Sequence, residues 1–156
     1  MVDRVPDPIV LYLVVRTELN MGAGKIAAQC SHAVQYFLDA FNQQLSGECT
    51  ACGSKGAWFP KQRFFSILTE KTKLSEEEWE RQRIATIWKE SPEHTKIVLA
   101  ANDKQFTTVK KENPVHFPVI DLGFTQVAPN TETVLALWPM RKSQRSPVLT
   151  KLRPLA

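Results

Sequence analysis

The chain has 156 residues, enough for one domain with a real hydrophobic core. Hydrophobic residues make up 43% and charged residues 23%, an ordinary globular balance that excludes the extreme composition classes. The net charge of +4 is mild, but it is unevenly spread: after Glu132 come Arg141, Lys142, Arg145, Lys151 and Arg153 and no acid. A local basic excess of this kind suits a polyanion such as RNA.

Residues 1–8, with two prolines and two aspartates, read as a loose lead-in without the apolar core of a signal peptide. Ile9–Thr17 (IVLYLVVRT) is apolar and β-branched almost throughout, which suits a strand buried on both faces. Met21-Gly22-Ala23-Gly24-Lys25 turns the chain, and a helix is expected over about 24–44. At about 100° per residue, Lys25, Gln29, His32 and Tyr36 share one narrow stripe of that helix. Ile26, Cys30, Ala33, Val34, Phe37 and Phe41 form a different face, suited to packing on the strand. A helix that opens after the C-terminal end of a strand is where open α/β sheets usually bind ligands, and its exposed N–H groups favour anions.

Residues 45–74, with three glycines, Pro60, Cys49 and Cys52, read as a long irregular insertion. Its rings Trp58, Phe59, Phe64 and Phe65 imply that part of it packs. From Lys55 onward its cations Lys55, Lys61, Arg63, Lys71 and Lys73 stand against one acid, Glu70, with Glu48 before them. Ser75-Glu76-Glu77-Glu78 is an N-cap followed by acids in the first turn, opening a helix to about Lys89. Lys96–Ala101 (KIVLAA) is a second buried strand, and Asn102–Glu112 is a short helix stopped by Asn113-Pro114. His116–Leu122 is a third strand, whose Pro118 points to an edge position or an irregular start. Gly123–Asn130 is a loop and Thr131–Trp138 a fourth strand. Ser146-Pro147 can start a last short helix. The expected fold is a single α/β domain over 1–156: a mixed, mostly parallel four-stranded sheet with helices on both faces, three layers in all.

Gly22-Ala23-Gly24-Lys25 is not a Walker A loop, which needs four residues between its first glycine and Gly-Lys, then Ser or Thr. An anion or oxyanion role for Lys25, with Gly24 beside it, stays open. Cys49 and Cys52 form a lone CxxC; zinc would need two more ligands, and His94 and His116 stand far along the chain. Two free thiols are the simpler reading, so no metal and no cofactor are expected. The odd count of three cysteines fits a reducing compartment, and no apolar run approaches the ~20 residues that cross a membrane. A cytoplasmic protein with no membrane partner is the expectation.

Two segments carry a resemblance. Val14–Ala33 (VVRTELNMGAGKIAAQCSHA) and Asp121–Val134 (DLGFTQVAPNTETV) resemble, in the right order, the two signatures of the archaeal and eukaryotic type of peptidyl-tRNA hydrolase. The likeness covers most of 9–44 and 94–152. It implies a small mixed four-stranded sheet sandwiched by helices, usually a homodimer, that hydrolyses the ester joining a peptide to tRNA. The residues matching the family's functional positions are Lys25, His32, Asp121, Thr125 and Thr133, with Gln29 also kept. The family usually carries a basic residue where Ala23 stands and another where Phe124 stands, so positive charge is lost beside the site. The insertion is the third departure.

For such an ester, direct attack by water is expected rather than a covalent intermediate, since no Ser-His-Asp order is evident and the one cysteine in the two signatures, Cys30, faces the core. Asp121 or His32 would activate the water. Lys25 would serve the oxyanion or a nearby phosphate, and Thr125, Thr133 and Gln29 would position groups by hydrogen bonds. Gly24, Gln29, Gln126, Arg141 and Lys142 are the candidate contacts to peptidyl-tRNA. Trp58 and Phe59 are candidates to stack on the unpaired CCA end, though a local hydrophobic cluster explains them more simply. The competing classes are a binding module that keeps the fold and has lost catalysis, and a thiol-redox or zinc protein built on Cys49 and Cys52.

Overall fold

A computed structural model describes residues 6–46, 75–124 and 126–156. Strand β1 (Ile9–Arg16) leads through a 3-10 turn (Thr17–Leu19) to helix α1 (Ala23–Ser46). Then follow α2 (Glu76–Glu90), β2 (Lys96–Ala101), α3 (Asp103–Glu112), β3 (His116–Asp121) and β4 (Thr131–Leu137). The chain ends with β5 (Met140–Arg141), a 3-10 turn (Lys142–Gln144), α4 (Pro147–Lys151) and β6 (Arg153–Pro154). The expected 45–74 insertion, with Cys49, Cys52, Trp58 and Phe59, lies outside the described residues, as does Thr125.

The helix boundaries follow local chemistry. The Ser75 hydroxyl accepts from the Glu78 amide while the Glu78 carboxylate accepts from the Ser75 amide, a reciprocal box that fixes the start of α2. Asn102 and Gln105 do the same for α3. Pro147 occupies the first turn of α4, where its missing N–H has no cost.

The strands form one mixed sheet in the order β3-β4-β1-β2-β6, with β5 paired to β1. The three-layer α/β architecture is as the sequence predicts, but the sheet has six strands rather than four. It is also mostly antiparallel: among the described strands only β1 and β2 pair in parallel. The physical reason lies in the connections. No helix separates β3 from β4, and so short a link returns the chain antiparallel. β4 thereby wedges between β3 and β1, which still run the same way. The extra strands β5 and β6 have two residues each, too short for any periodicity to mark.

Alternation along β1 feeds two cores. Leu11, Leu13 and Val15 face the layer that holds α1 and α2, while Val10, Tyr12 and Val14 face α3 and α4. Phe37 of α1 sits at the centre of the first core, fully buried. The rings of Phe41, Trp88, Phe117 and Trp138 surround it at centroid distances between 5.2 and 6.1 Å. Edge-to-face contacts dominate, and such pairs add to plain area burial. This packing fixes the rotation of α1 on the sheet and so decides which stripe of the helix meets the end of β3. Phe37→Ala should cost about 3–5 kcal/mol of stability. Urea unfolding measures it; a midpoint unchanged from wild type would show that α1 is not anchored here.

Candidate active site

β1 and β3 end at the same edge of the sheet, because both run antiparallel to the β4 between them. Asp121 closes β3 in phase with the inward-facing Phe117 and Val119. Its carboxylate therefore points at α1, and Lys25 meets it one turn into that helix. The Lys25 ammonium pairs with Asp121 Oδ2, the two side chains being 12% and 6% exposed. One turn further on, the Gln29 amide nitrogen donates to the same Oδ2 at 3.3 Å. The buried Thr133 hydroxyl donates to Gln29 Oε1 at 2.6 Å. That bond leaves the Gln29 nitrogen directed at the carboxylate, so Thr133 orients Asp121 through Gln29.

A bulge makes the Thr133 contact. Val119 pairs with Val134, but the next residue of β3, Ile120, pairs with Glu132, so Thr133 is an extra residue in β4. Strict alternation would turn Thr133 to the opposite face from Val134. The bulge re-aims it to the α1 side, a use of bulges that is frequent beside active sites.

The other carboxylate oxygen is held by the loop. The Gly123 amide donates to Asp121 Oδ1 at 2.6 Å, an Asx-type turn. Gly123 has φ +83°, and a Cβ there would lie 2.6 Å from Pro129 Cγ, so the turn accepts only glycine. The Asn130 amide donates to the Asp121 carbonyl at 2.7 Å and closes the loop. The loop is also tied to α1, since the Gly22 amide donates to Gln126 Oε1 at 2.8 Å.

Burial by itself would raise the Asp121 carboxyl above its ordinary value. The Lys25 bond, the Gly123 amide and the charges of Lys25 and His32 together outweigh it, and the group is held below the usual aspartate value. It is a carboxylate throughout the neutral range. A carboxylate offers about four acceptor sites. Lys25, Gln29 and Gly123 occupy three of them.

Lys25, Gln29 and Asp121 line a cleft of about 630 Å³ together with His32, Tyr36, Leu122 and Phe124. His32 is exposed and its ring stacks on Tyr36 one turn along α1, with centroids 6.4 Å apart. The structure thus brings Lys25, Gln29, His32, Asp121 and Thr133 together. Gly24 lies exposed in the first turn of α1. Gln126 serves as a latch on Gly22. Arg141 pairs with Ile9 at the other end of β1, followed by Lys142. Seven strand steps separate that end from the cleft edge, roughly 23 Å. The sequence expectation does not include Gly123 as a donor to Asp121, although Asp-x-Gly is a turn signal that carries it. Nor does it include the apolar wall of Leu122 and Phe124.

The Cys30 thiol is half-buried, and burial pushes its pKa up, away from the reactive thiolate. Among the described residues no group of three His, Cys, Asp or Glu side chains could hold a metal ion. The rings of His94 and His116 each meet a backbone carbonyl, of Lys89 and Asn113. No described helix is long and apolar enough to cross a membrane.

The family model described as "Peptidyl-tRNA hydrolase PTH2" matches residues 9–155. A Homo sapiens protein named "Peptidyl-tRNA hydrolase 2, mitochondrial" is 31% identical over 133 residues, covering 83% of this chain and 54% of its own length. The chain spans about half the length of the curated relative it matches.

The depressed Asp121 pKa has a consequence for acid stability. A carboxyl held lower in the folded than in the unfolded chain contributes stability that is fully present above the unfolded value, about 3.9, and is lost as pH falls through the folded one. The stability difference between wild type and Asp121→Asn should be constant from pH 7 to about 5 and shift against the wild type below about pH 4. Chemical unfolding at pH 7, 5, 4 and 3 measures it, and a difference constant down to pH 3 would refute the assignment.

Proposed function

The chain belongs to the peptidyl-tRNA hydrolase PTH2 family, and we propose that it hydrolyses the ester between a peptide, or an N-blocked amino acid, and tRNA. The observation that carries this reading is the buried Lys25–Asp121 pair, braced by Gln29 and Thr133 on the wall of an open cleft.

Water attacks the ester carbonyl directly. The acceptor site left on Asp121 Oδ1 holds and orients that water. As a carboxylate held below the usual range, Asp121 is a weak base at neutral pH but a strong acceptor. His32, on the open side of the cleft, takes the proton as the new C–O bond forms. The Lys25 ammonium stabilises the negative charge that develops on the carbonyl oxygen, an effect strengthened where water is excluded. Collapse of the tetrahedral intermediate expels the ribose oxygen of the tRNA. The proton held by His32 returns to that leaving oxygen, so acid and base are the same group used twice. Gln29 and Thr133 touch no substrate; they are positioning residues.

Peptidyl-tRNA is the partner this reading requires. A homodimer in the cytoplasm is the proposed setting, supported by the resemblance of the two signatures to a usually dimeric family. Sedimentation of purified protein as one chain, or fractionation with an organelle, would refute those two points.

Release of N-acetyl amino acid from its tRNA tests the chemistry. Lys25→Ala and Asp121→Asn should each lower kcat by about 10²–10³ or more. Thr133→Val should lower kcat about tenfold with KM unchanged, and Thr133→Ser should restore it, because only the hydroxyl is used. Undiminished turnover in Lys25→Ala or Asp121→Asn would overturn the mechanism.

A further inference from the structure

The cleft has an outer wall that bond breaking does not use. Phe124 is 86% exposed and Leu122 is 45% exposed, and both line the same space as Lys25 and Asp121. An apolar ring this open gains nothing from the fold, since it has left water on almost no side. The backbone that leads to it is nevertheless tethered. Gly123 before it is locked by its φ of +83° and by the hydrogen bond its amide donates to Asp121. The loop that carries it closes through Asn130 and is latched to Gly22 by Gln126. Phe124 follows Asp121 by three chain steps, so their Cα atoms lie at most about 11 Å apart. That is the reach of a single nucleotide from the carbonyl to be attacked.

We propose that Phe124 is a stacking platform for the terminal adenine of the tRNA acceptor end, with Leu122 packing beside it. The inference rests on the hydrolase reading of the same cleft. Two parts of the substrate lie next to the ester: the adenosine that bears it and the side chain of the esterified residue. The geometry favours the base. A side-chain subsite would be concave and enclosed, whereas Phe124 presents an open face, which is what stacking needs. The terminal adenosine is also common to every substrate, while the side chain varies, and stacking is tolerant of everything but flatness. The same cleft is also lined by His32 and Tyr36 of α1, whose rings are nearly parallel, 19° apart. The platform also accounts for how this chain grips the acceptor end with an apolar residue at 124: aromatic surface replaces charge as the source of affinity.

Binding of an acceptor-stem minihelix ending in CCA, compared with the same minihelix ending in CC, reads the platform without any catalysis. Stacking of one base corresponds to a preference of roughly 5- to 150-fold for the adenosine-ended form. Phe124→Ala should erase that preference and Phe124→Trp should keep it. Phe124→Lys, a cation without a planar face, should bind both forms alike, with a steeper dependence on salt. The side chain is exposed, so none of these variants disturbs the core. A wild-type protein that binds both minihelices equally, or a Phe124→Ala protein that keeps the preference, would overturn the platform. So would a Phe124→Ala effect on turnover that changes with the esterified amino acid and not with the terminal base, since this is the signature of a side-chain subsite. Turnover of N-acetyl-aminoacyl-tRNA by wild type, measured beside the binding, separates the two readings. Turnover without a base preference sinks only the platform, and a base preference without turnover sinks only the hydrolase.

Discussion

Taking an ammonium and a carboxylate out of water costs several kcal/mol per ion, and their attraction offsets this only when the remaining hydrogen-bonding capacity is met. Lys25 and Asp121 impose that requirement on the structure around them. Gln29 answers it from α1, the Gly123 amide from the loop, and Thr133 from β4 by turning the Gln29 amide the right way. Each contribution comes from a different segment, so the pair can be satisfied only when helix, loop and both strands are in register. The aromatic packing around Phe37 sets that register, which links the core directly to the candidate site.

Much of this was legible in the sequence because the relevant periods are strict. Lys25, Gln29 and His32 recur at helical spacing, and the structure gathers all three on one cleft. Asp121 follows the two-residue period of Phe117 and Val119, so its inward aim could be read once β3 was recognised. The box residues Ser75 and Glu78 announced the start of α2 directly. What escaped depends on contacts between distant segments. Nothing local marks Gln126 as the partner of the Gly22 amide, 104 residues away. The antiparallel majority of the sheet escaped for a similar reason: strand order is set by how connections pack, and β4 enters between two strands that precede it in the chain.

Charge is arranged unevenly at the cleft edge of the sheet. Arg16 is bound to Asp103 at 2.6 Å and Lys110 to Glu132 at 2.6 Å, so cations near the ends of β1 and β4 are already engaged within the fold. Arg141 is set by its pairing with Ile9 at the far end of β1. Within the cleft, positive charge comes chiefly from Lys25, and the neighbouring wall is apolar. On the proposed reading, recognition of a polyanion by such a surface relies on shape and ring contacts inside the cleft, with electrostatic attraction acting from further out.

The bulge in β4 separates two kinds of information carried by one strand. Downstream of it, Val134, Leu135, Ala136 and Leu137 alternate between the two cores and answer to packing alone. At the bulge, Thr133 answers to Asp121 through Gln29. Deleting one residue there would leave every hydrophobic side chain of β4 a legitimate place on some face of the sheet, and the chain would still have a core to build. The site alone would be lost, since the hydroxyl would point into the wrong layer. The geometry of the candidate site is therefore a matter of residue count as much as of residue identity, and a relative lacking that one residue would be a stable protein with a misdirected threonine.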